Sequence, residues 1–315
     1  MDQKSIKPYI SVVIPVYGCP DGLEELYERL VKSIEPITTN FELILVNDAS
    51  PDRSWEIIQK LALDDARVLG VNLSRNFGQH PAIFAGLKHS SGDWVVVMDC
   101  DLQDPPEEIQ NLHAKALEGF EQVVAVRKNR QDSGPKKFFS KAFRRVLGYL
   151  SAVEINQGTT NFGIYSRKLI TILNNHKEHN QSFGLFVSWI GFSRFELETE
   201  HSKRVSGNSS YSFSTLLRHG LISVIGFSDK LLILIVKFGF LLSGLGFFWA
   251  VQIVISNLAS PEFQLGWSSL MVVILLSSGL TTISIGIVGL YVAQALSEAK
   301  NRPAFIVADI TKIEI

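Results

Sequence analysis

Trp94-Val-Val-Val-Met-Asp-Cys-Asp-Leu-Gln-Asp-Pro-Pro-Glu-Glu108 decides how this 315-residue chain is read. The unbroken apolar run Trp94–Met98 marks a strand buried on both faces, the habit of parallel sheets. It ends at Asp99-Cys100-Asp101. Residues two apart on an extended segment point the same way. Asp99 and Asp101 can therefore meet one hard cation, Mg2+ or Mn2+, at the carboxyl edge of a sheet, where open α/β folds bind ligands. Gln103, two residues on, adds a neutral oxygen. A divalent ion held with open positions suits a diphosphate whose charge must be neutralised as it leaves. The residues that follow predict a helix start, with Asp104 as N-cap, Pro105 at the first position, Glu107 closing a capping box and Glu108 favouring the dipole.

Outward from this stretch, strands and helices alternate. Residues 9–15, 41–46, 68–73, 94–98 and 122–126 read as short β-branched strands, and 22–33, 53–64, 79–89 and 106–118 as helices. The order predicts an α/β domain with a mostly parallel sheet and helices on both faces. Polar clusters end the strands: Tyr17-Gly18, Asn47-Asp48-Ala49-Ser50 and Ser74-Arg75-Asn76, then the acidic triplet. Parallel strands bring these clusters to one edge, which is the expected site.

Thirty basic residues balance thirty-one acidic ones, so nothing argues for nucleic acid. The two cysteines, Cys19 and Cys100, are spaced for neither zinc nor a disulfide framework. Cys100 is expected as a buried strand residue on the face opposite the acids. The N-terminal residues lack the apolar core of a signal peptide, and the catalytic part is expected in the cytoplasm. A mean hydropathy of +0.17 is high for a soluble protein, and the surplus lies in the last third.

There, Leu231–Ile255 and Leu270–Ala293 are each long enough to cross a bilayer, which needs about 20 apolar residues. Lys237 interrupts the first and reads as snorkelling toward a headgroup. The intervening loop 256–269 has no Lys or Arg, whereas Lys300 and Arg302 follow the second span. The positive-inside rule then puts the loop outside and both termini in the cytoplasm. Gly239 and Ser243, and Gly286 with Gly289, offer small faces for packing within this hairpin or between copies in a homo-oligomer. Residues 136–150 set Phe139, Phe143, Val146, Leu147 and Leu150 among Lys136, Lys137, Lys141, Arg144 and Arg145. Residues 211–225 place Phe213, Leu216, Leu217, Leu221 and Val224 at helical spacing. Both suit either core helices or helices lying in the membrane interface. The expected organisation is a catalytic domain over 1–218, a membrane anchor over 219–295 and a cytoplasmic tail over 296–315.

Taken together, the motifs resemble a family 2 glycosyltransferase of the GT-A fold, of the membrane-anchored polyprenyl-phosphate type. That group includes bactoprenyl-phosphate glucosyltransferases, undecaprenyl-phosphate aminoarabinose transferases and dolichol-phosphate mannose synthases. The resemblance is carried, almost end to end, by Ser11-Val-Val-Ile-Pro-Val-Tyr17, Val46-Asn-Asp-Ala-Ser50, Arg75-Asn-Phe-Gly-Gln-His80, the acidic stretch, Val126-Arg-Lys-Asn-Arg-Gln-Asp132, Gly289-Leu-Tyr-Val-Ala and Asn301-Arg-Pro303. It implies inverting transfer of a sugar, glucose-like and uridine-linked, from a nucleotide-diphosphate donor to undecaprenyl phosphate at the cytoplasmic face of the cell membrane. It implies that Pro15, Tyr17, Asp48, Gln79, Asp99 and Arg130 bind the donor, that Asp99, Asp101 and Gln103 hold the metal, and that Asp101, Arg127 and Arg204 are catalytic. Guanidinium forks suit phosphate oxygens.

Three departures stand out. Gly18-Cys19 replaces the usual Asn-Glu, and Ser210 replaces the Lys of an Arg-x-x-Gly-x-Ser-Lys-Tyr element that begins here at Arg204. The run Asn156-Gln-Gly-Thr-Thr-Asn-Phe-Gly163 carries no carboxylate where family members have one. A phosphate acceptor tolerates that loss, because its second pKa near 6 leaves it largely dianionic without a general base. Two alternatives stay open. A processive polysaccharide synthase shares the fold, but its Gln-x-x-Arg-Trp signature is absent around Trp189 and Trp267. A non-catalytic nucleotide-sugar-binding membrane protein would fit the departures better than it fits the intact acidic stretch. A Rossmann dehydrogenase is disfavoured by the lack of Gly-x-Gly-x-x-Gly after the first strand.

Overall fold

A computed structural model describes residues 9–127, 159–175, 182–199, 230–259 and 266–311. The first unit is built on an eight-stranded sheet, in the order β7-β5-β6-β4-β1-β2-β3-β8. In chain order the strands are β1 Ile10–Val16, β2 Phe41–Asn47, β3 Val68–Leu73, β4 Trp94–Val97, β5 Gln122–Arg127, β6 Thr159–Ser166, β7 Arg194–Thr199 and β8 Val307–Ile310. The helices are α1 Leu23–Ile34, α2 Ser54–Asp64, α3 Gln79–His89, α4 Ile109–Ala116, α5 Arg167–Asn175 and α6 Phe183–Ile190. Strands β1 to β4 are mutually parallel, as the alternation predicts.

Alternation along β1 sorts its residues into two layers. Ile10, Val12, Ile14 and Val16 join Leu23, Leu26 and Leu30 of α1 in one cluster with Ile58, Ile109 and Leu112. Leu23, Leu26, Leu30 and Ile34 recur at helical spacing and are at most 1% exposed. Each contributes about 1.5–3 kcal/mol by leaving water. Val13 points to the other face, against α3. A Cβ added at Gly86 of α3 would lie 2.3 Å from Val13 Cγ1, so glycine lets this helix press onto the sheet. With both faces covered, ligands have only the strand ends to approach.

Several expectations are corrected. The strand at 94–98 ends at Val97, and Cys100 lies beyond it in a turn rather than on the back of a strand. Cys100 is disulfide-bonded to Cys19, where spacing alone indicated no pairing. The helix expected over 106–118 opens as a 3-10 turn at Pro106–Glu108 and becomes α4 only at Ile109. Pro106 holds the residue before it, Pro105, in extended backbone at ψ 124, so no helical turn can begin before residue 106. Pro105, not Asp104, occupies the cap position, and no side chain caps this turn. Glu107 instead accepts from Arg29 Nε at 2.9 Å and Nη2 at 2.8 Å.

Strands β6, β7 and β8 lie outside the alternating pattern. Strand β6 runs antiparallel between β4 and β5. Strand β8, from the end of the chain, pairs antiparallel with β3 and closes that edge. Beyond it, Gly70 N–H donates to Thr311 Oγ1 at 2.8 Å, and Thr311 N–H donates to Gly70 O at 2.9 Å.

The second unit holds two long apolar helices, α7 Lys230–Ala259 and α8 Trp267–Ala299. Among the described residues, Ser277–Ala299 is long and apolar enough to cross a membrane, and Leu232–Phe248 is a shorter apolar stretch. Of the two expected spans, one therefore meets that measure. The segments 136–150 and 211–225 fall outside the described residues, as do Arg130, Arg204 and Ser210.

Candidate active site

The carboxyl ends of β1, β2 and β4 gather most of the residues singled out in the sequence. Pro15 lies in β1, in register with Val46 of β2, and Tyr17 follows that strand with 53% of its surface exposed. An aromatic ring this open at a sheet edge is available for stacking. Gly18, at φ +72, turns the chain away, and its N–H donates to Ser50 Oγ at 3.0 Å. The first two loops are thereby tied together.

Asp48 is buried, 3% exposed, directly after β2. Its carboxylate accepts from Phe77 N–H at 2.7 Å and from Gly78 N–H at 2.9 Å. Burial raises its pKa, and the two backbone donors oppose the shift. Asp48 thus fixes the turn that launches α3. Gly78 at φ +100 makes that turn, a conformation other residues rarely adopt. Asn47 donates through Nδ2 to Asn72 Oδ1 at 2.8 Å and accepts from Ser50 N–H at 3.2 Å, bracing the same edge.

Fixing α3 places its first residue. Gln79 Nε2 donates to Asp99 Oδ1 at 2.6 Å. From the other side, Asn161 also hydrogen-bonds Asp99. The β4–β6 register, which sets Gly163 opposite Val97, carries Asn161 alongside Asp99 just past the end of β4. Burial, followed by the charges of Asp101 and Asp104, pushes Asp99 up to about 6, against the two amide donors. Asp101 Oδ1 accepts from Gln103 N–H at 3.1 Å, which folds the turn on itself. Leu102 holds this turn at φ +58 with its side chain 2% exposed. Left-handed backbone costs a branched residue about 1–2 kcal/mol, and burial of the leucine side chain offsets it.

Three carboxylates crowding one turn repel one another, which is the electrostatic setting a divalent cation relieves. Among the described residues no group of three His, Cys, Asp or Glu surrounds a common point. The groups this turn could offer a cation are the carboxylates of Asp99 and Asp101 and, by its spacing, the neutral Gln103. That partial shell suits a cation sharing its coordination with substrate phosphates.

Arg127 closes β5, which runs the same way as β4, so its backbone reaches the same edge. The contact of Asn161 with Asp99 and the Cys19–Cys100 bridge were missed by sequence reasoning. Asn161 lies in the very run noted for its missing carboxylate, and only the sheet register connects it to Asp99. The cysteines are 81 residues apart with no local signal.

The model for Glycosyl transferase family 2 matches residues 11–195. A Bacillus subtilis (strain 168) protein named "Uncharacterized glycosyltransferase YkcC" is 37% identical over 96% of this chain and 94% of its own length. An undecaprenyl-phosphate 4-deoxy-4-formamido-L-arabinose transferase of Shewanella sediminis (strain HAW-EB3) is 32% identical over 96% of this chain and 92% of its own. The SfII prophage-derived bactoprenol glucosyl transferase of Shigella flexneri is 31% identical over 95% of this chain and 97% of its own.

Proposed function

Since the chain belongs to glycosyltransferase family 2 and carries the GT-A α/β sheet, we propose that it transfers a sugar from a nucleotide-diphosphate donor to polyprenyl phosphate at the cytoplasmic membrane face. The observation that carries this reading is the Asp99–Asp101 pair at the carboxyl edge, with Gln79 and Asn161 on Asp99. Relatives named for undecaprenyl-phosphate and bactoprenol transfer, similar over nearly their whole lengths, support the acceptor. The glucosyl relative favours a glucose-type uridine-diphosphate sugar as donor.

In this reading Pro15, Tyr17 and Asp48 shape the pocket for the base. Asp99, Asp101 and Gln103 hold Mg2+ or Mn2+, which supplies charge neutralisation for the departing nucleoside diphosphate. Gln79 and Asn161 keep Asp99 aimed. Arg127, Arg130 and Arg204 bind the phosphates of donor and acceptor. The acceptor phosphate, already largely dianionic, needs orientation and screening rather than a base. Its oxygen attacks the anomeric carbon opposite the leaving diphosphate in one displacement, and configuration inverts.

The chain is proposed to divide into a catalytic domain over 1–218, a two-span anchor over 219–295 and a segment over 296–315 that rejoins the catalytic sheet through β8. Pairing of β8 with β3 supports this topology. A chain that leaves the catalytic side before α7 and returns to it for β8 crosses a bilayer an even number of times. If α8 crosses, α7 must also cross. With 30 residues it reaches about 45 Å at 1.5 Å per residue, against a hydrocarbon core of about 30 Å.

The test is nucleoside-diphosphate release by the purified full chain with Mg2+ or Mn2+ across a panel of nucleotide sugars. Release is expected only when polyprenyl phosphate is present, and Asp101→Asn is expected to abolish it while the circular dichroism stays unchanged. Equal release without the lipid would refute the acceptor, and undiminished turnover in excess chelator would refute the metal.

A further inference from the structure

The Cys19–Cys100 bridge joins the two loops that the proposed reaction uses most. Cys19 follows Tyr17 and Gly18 at the end of β1, and Cys100 sits between Asp99 and Asp101. Their Cα atoms are 6.5 Å apart, and the two residues are 5% and 8% exposed. The same two loops pack elsewhere: a Cβ at Gly22 would lie 3.6 Å from Leu102 Cδ1 and 3.9 Å from Cys100 O. The bridge thus anchors the middle of a turn whose next-but-one residue, Leu102, holds a left-handed backbone. Without the bridge, Gln79 and Asn161 still hold Asp99, but Asp101 is left with burial of Leu102 and the Asp101–Gln103 bond to fix its place in the turn. Disulfides in reducing compartments are commonly transient and redox-sensing, and the proposed reaction places this domain in one.

We infer that Cys19 and Cys100 form a reversible thiol–disulfide pair that sets how tightly the Asp99–Asp101 turn holds a divalent cation, the bridged form holding it more tightly. The inference rests on the metal role proposed above. The oxidant is another disulfide, a small molecule or a protein. One cysteine, as thiolate, attacks it, and the first thiol leaves. The second cysteine, losing its own proton, then displaces the remaining thiol and closes the Cys19–Cys100 bond. Two electrons pass from the cysteine pair to the external disulfide, which becomes two thiols. Reduction reverses each step. Because both sulfurs are buried, exchange is slow, and each redox state persists long enough to be measured.

The full chain in detergent is equilibrated with oxidised glutathione or with a phosphine reductant, then freed of both. Peptide mapping reads the Cys19–Cys100 link, and free Mn2+ is titrated by electron paramagnetic resonance. The link is expected in the oxidised sample and absent from the reduced one. Mn2+ is expected to bind more weakly after reduction, on the order of tenfold, comparable to the loss of a residue that supports a metal ligand. Cys19→Ala is expected to show the weaker affinity under both conditions. Equal Mn2+ affinity in the two states of the unsubstituted chain overturns the inference and leaves the metal role intact, since the bridge would then be structural alone. Glutathione adducts without the internal link also overturn it. Binding in neither state overturns the inference together with the metal role.

Discussion

Asp99 shows how one residue records what its surroundings are for. Burial and the charges of Asp101 and Asp104 move it from the ordinary 3.8 to about 6 in the metal-free chain. A carboxyl raised in this way holds its proton more tightly folded than unfolded. Its penalty is absent below the unfolded value and complete above the folded one. The metal-free protein is therefore expected to lose stability as pH rises from 3.8 to about 6, by at most roughly 3 kcal/mol at about 1.4 kcal/mol per pH unit. Melting temperatures in chelator across this window check it, with Asp99→Asn expected to flatten the slope. A slope of equal size in that variant would assign it to other groups. Saturating Mn2+ should remove the loss, because the cation then offsets the charge that burial penalises. The acids stood out in the sequence by their place at the end of an apolar run, but the extended geometry expected for them is a turn beyond Val97. Their partner Asn161 was not legible, because contact across β4 and β6 depends on a register that no local pattern encodes.

At the scale of elements, the sequence was most readable where periodicity and punctuation agreed. Helix α3 has the bounds predicted for it, Gln79–His89, and strand β3 is Val68–Leu73 as read. Reading failed where pairing is non-local. Strand β6 carries Thr, Asn, Gly and Ser among its apolar residues, and β8 is only four residues long. The prolines at 105 and 106 hid a 3-10 turn inside an apparent helix. Packing of α3 offers a direct test. Gly86→Ala would place a methyl 2.3 Å from Val13 Cγ1 and 3.1 Å from Val46 Cγ2. Overpacking of this kind costs about 1–3 kcal/mol, so a lower midpoint in urea with unchanged slope is expected. Helix α3 also delivers Gln79 to Asp99, and the variant should therefore lose turnover more steeply than its stability alone explains. An unchanged midpoint would mean that α3 can move outward from the sheet at no cost in stability.

For the whole molecule, β8 makes residues 307–310, beyond both long helices, part of the same sheet as β1 to β4. Under the two-span topology, an impermeant thiol reagent added to intact cells should label single cysteines placed at residues 260–266 on a background with both native cysteines replaced by alanine. It should not label cysteines placed at residues 311–315. Labelling of the tail from outside would refute the even number of crossings. The same feature bears on how the protein is made. Ribosomes deliver the N-terminal strands first, and domains begin to fold as they emerge. Here β3 must wait for residues 307–311, which are translated after both long helices. During synthesis the edge of β3 stands open, the kind of edge that invites wrong pairing. Completion of the sheet consequently waits for translation of both long helices, and a chain stalled or clipped before residue 307 would carry those helices on a sheet whose β3 edge is still open.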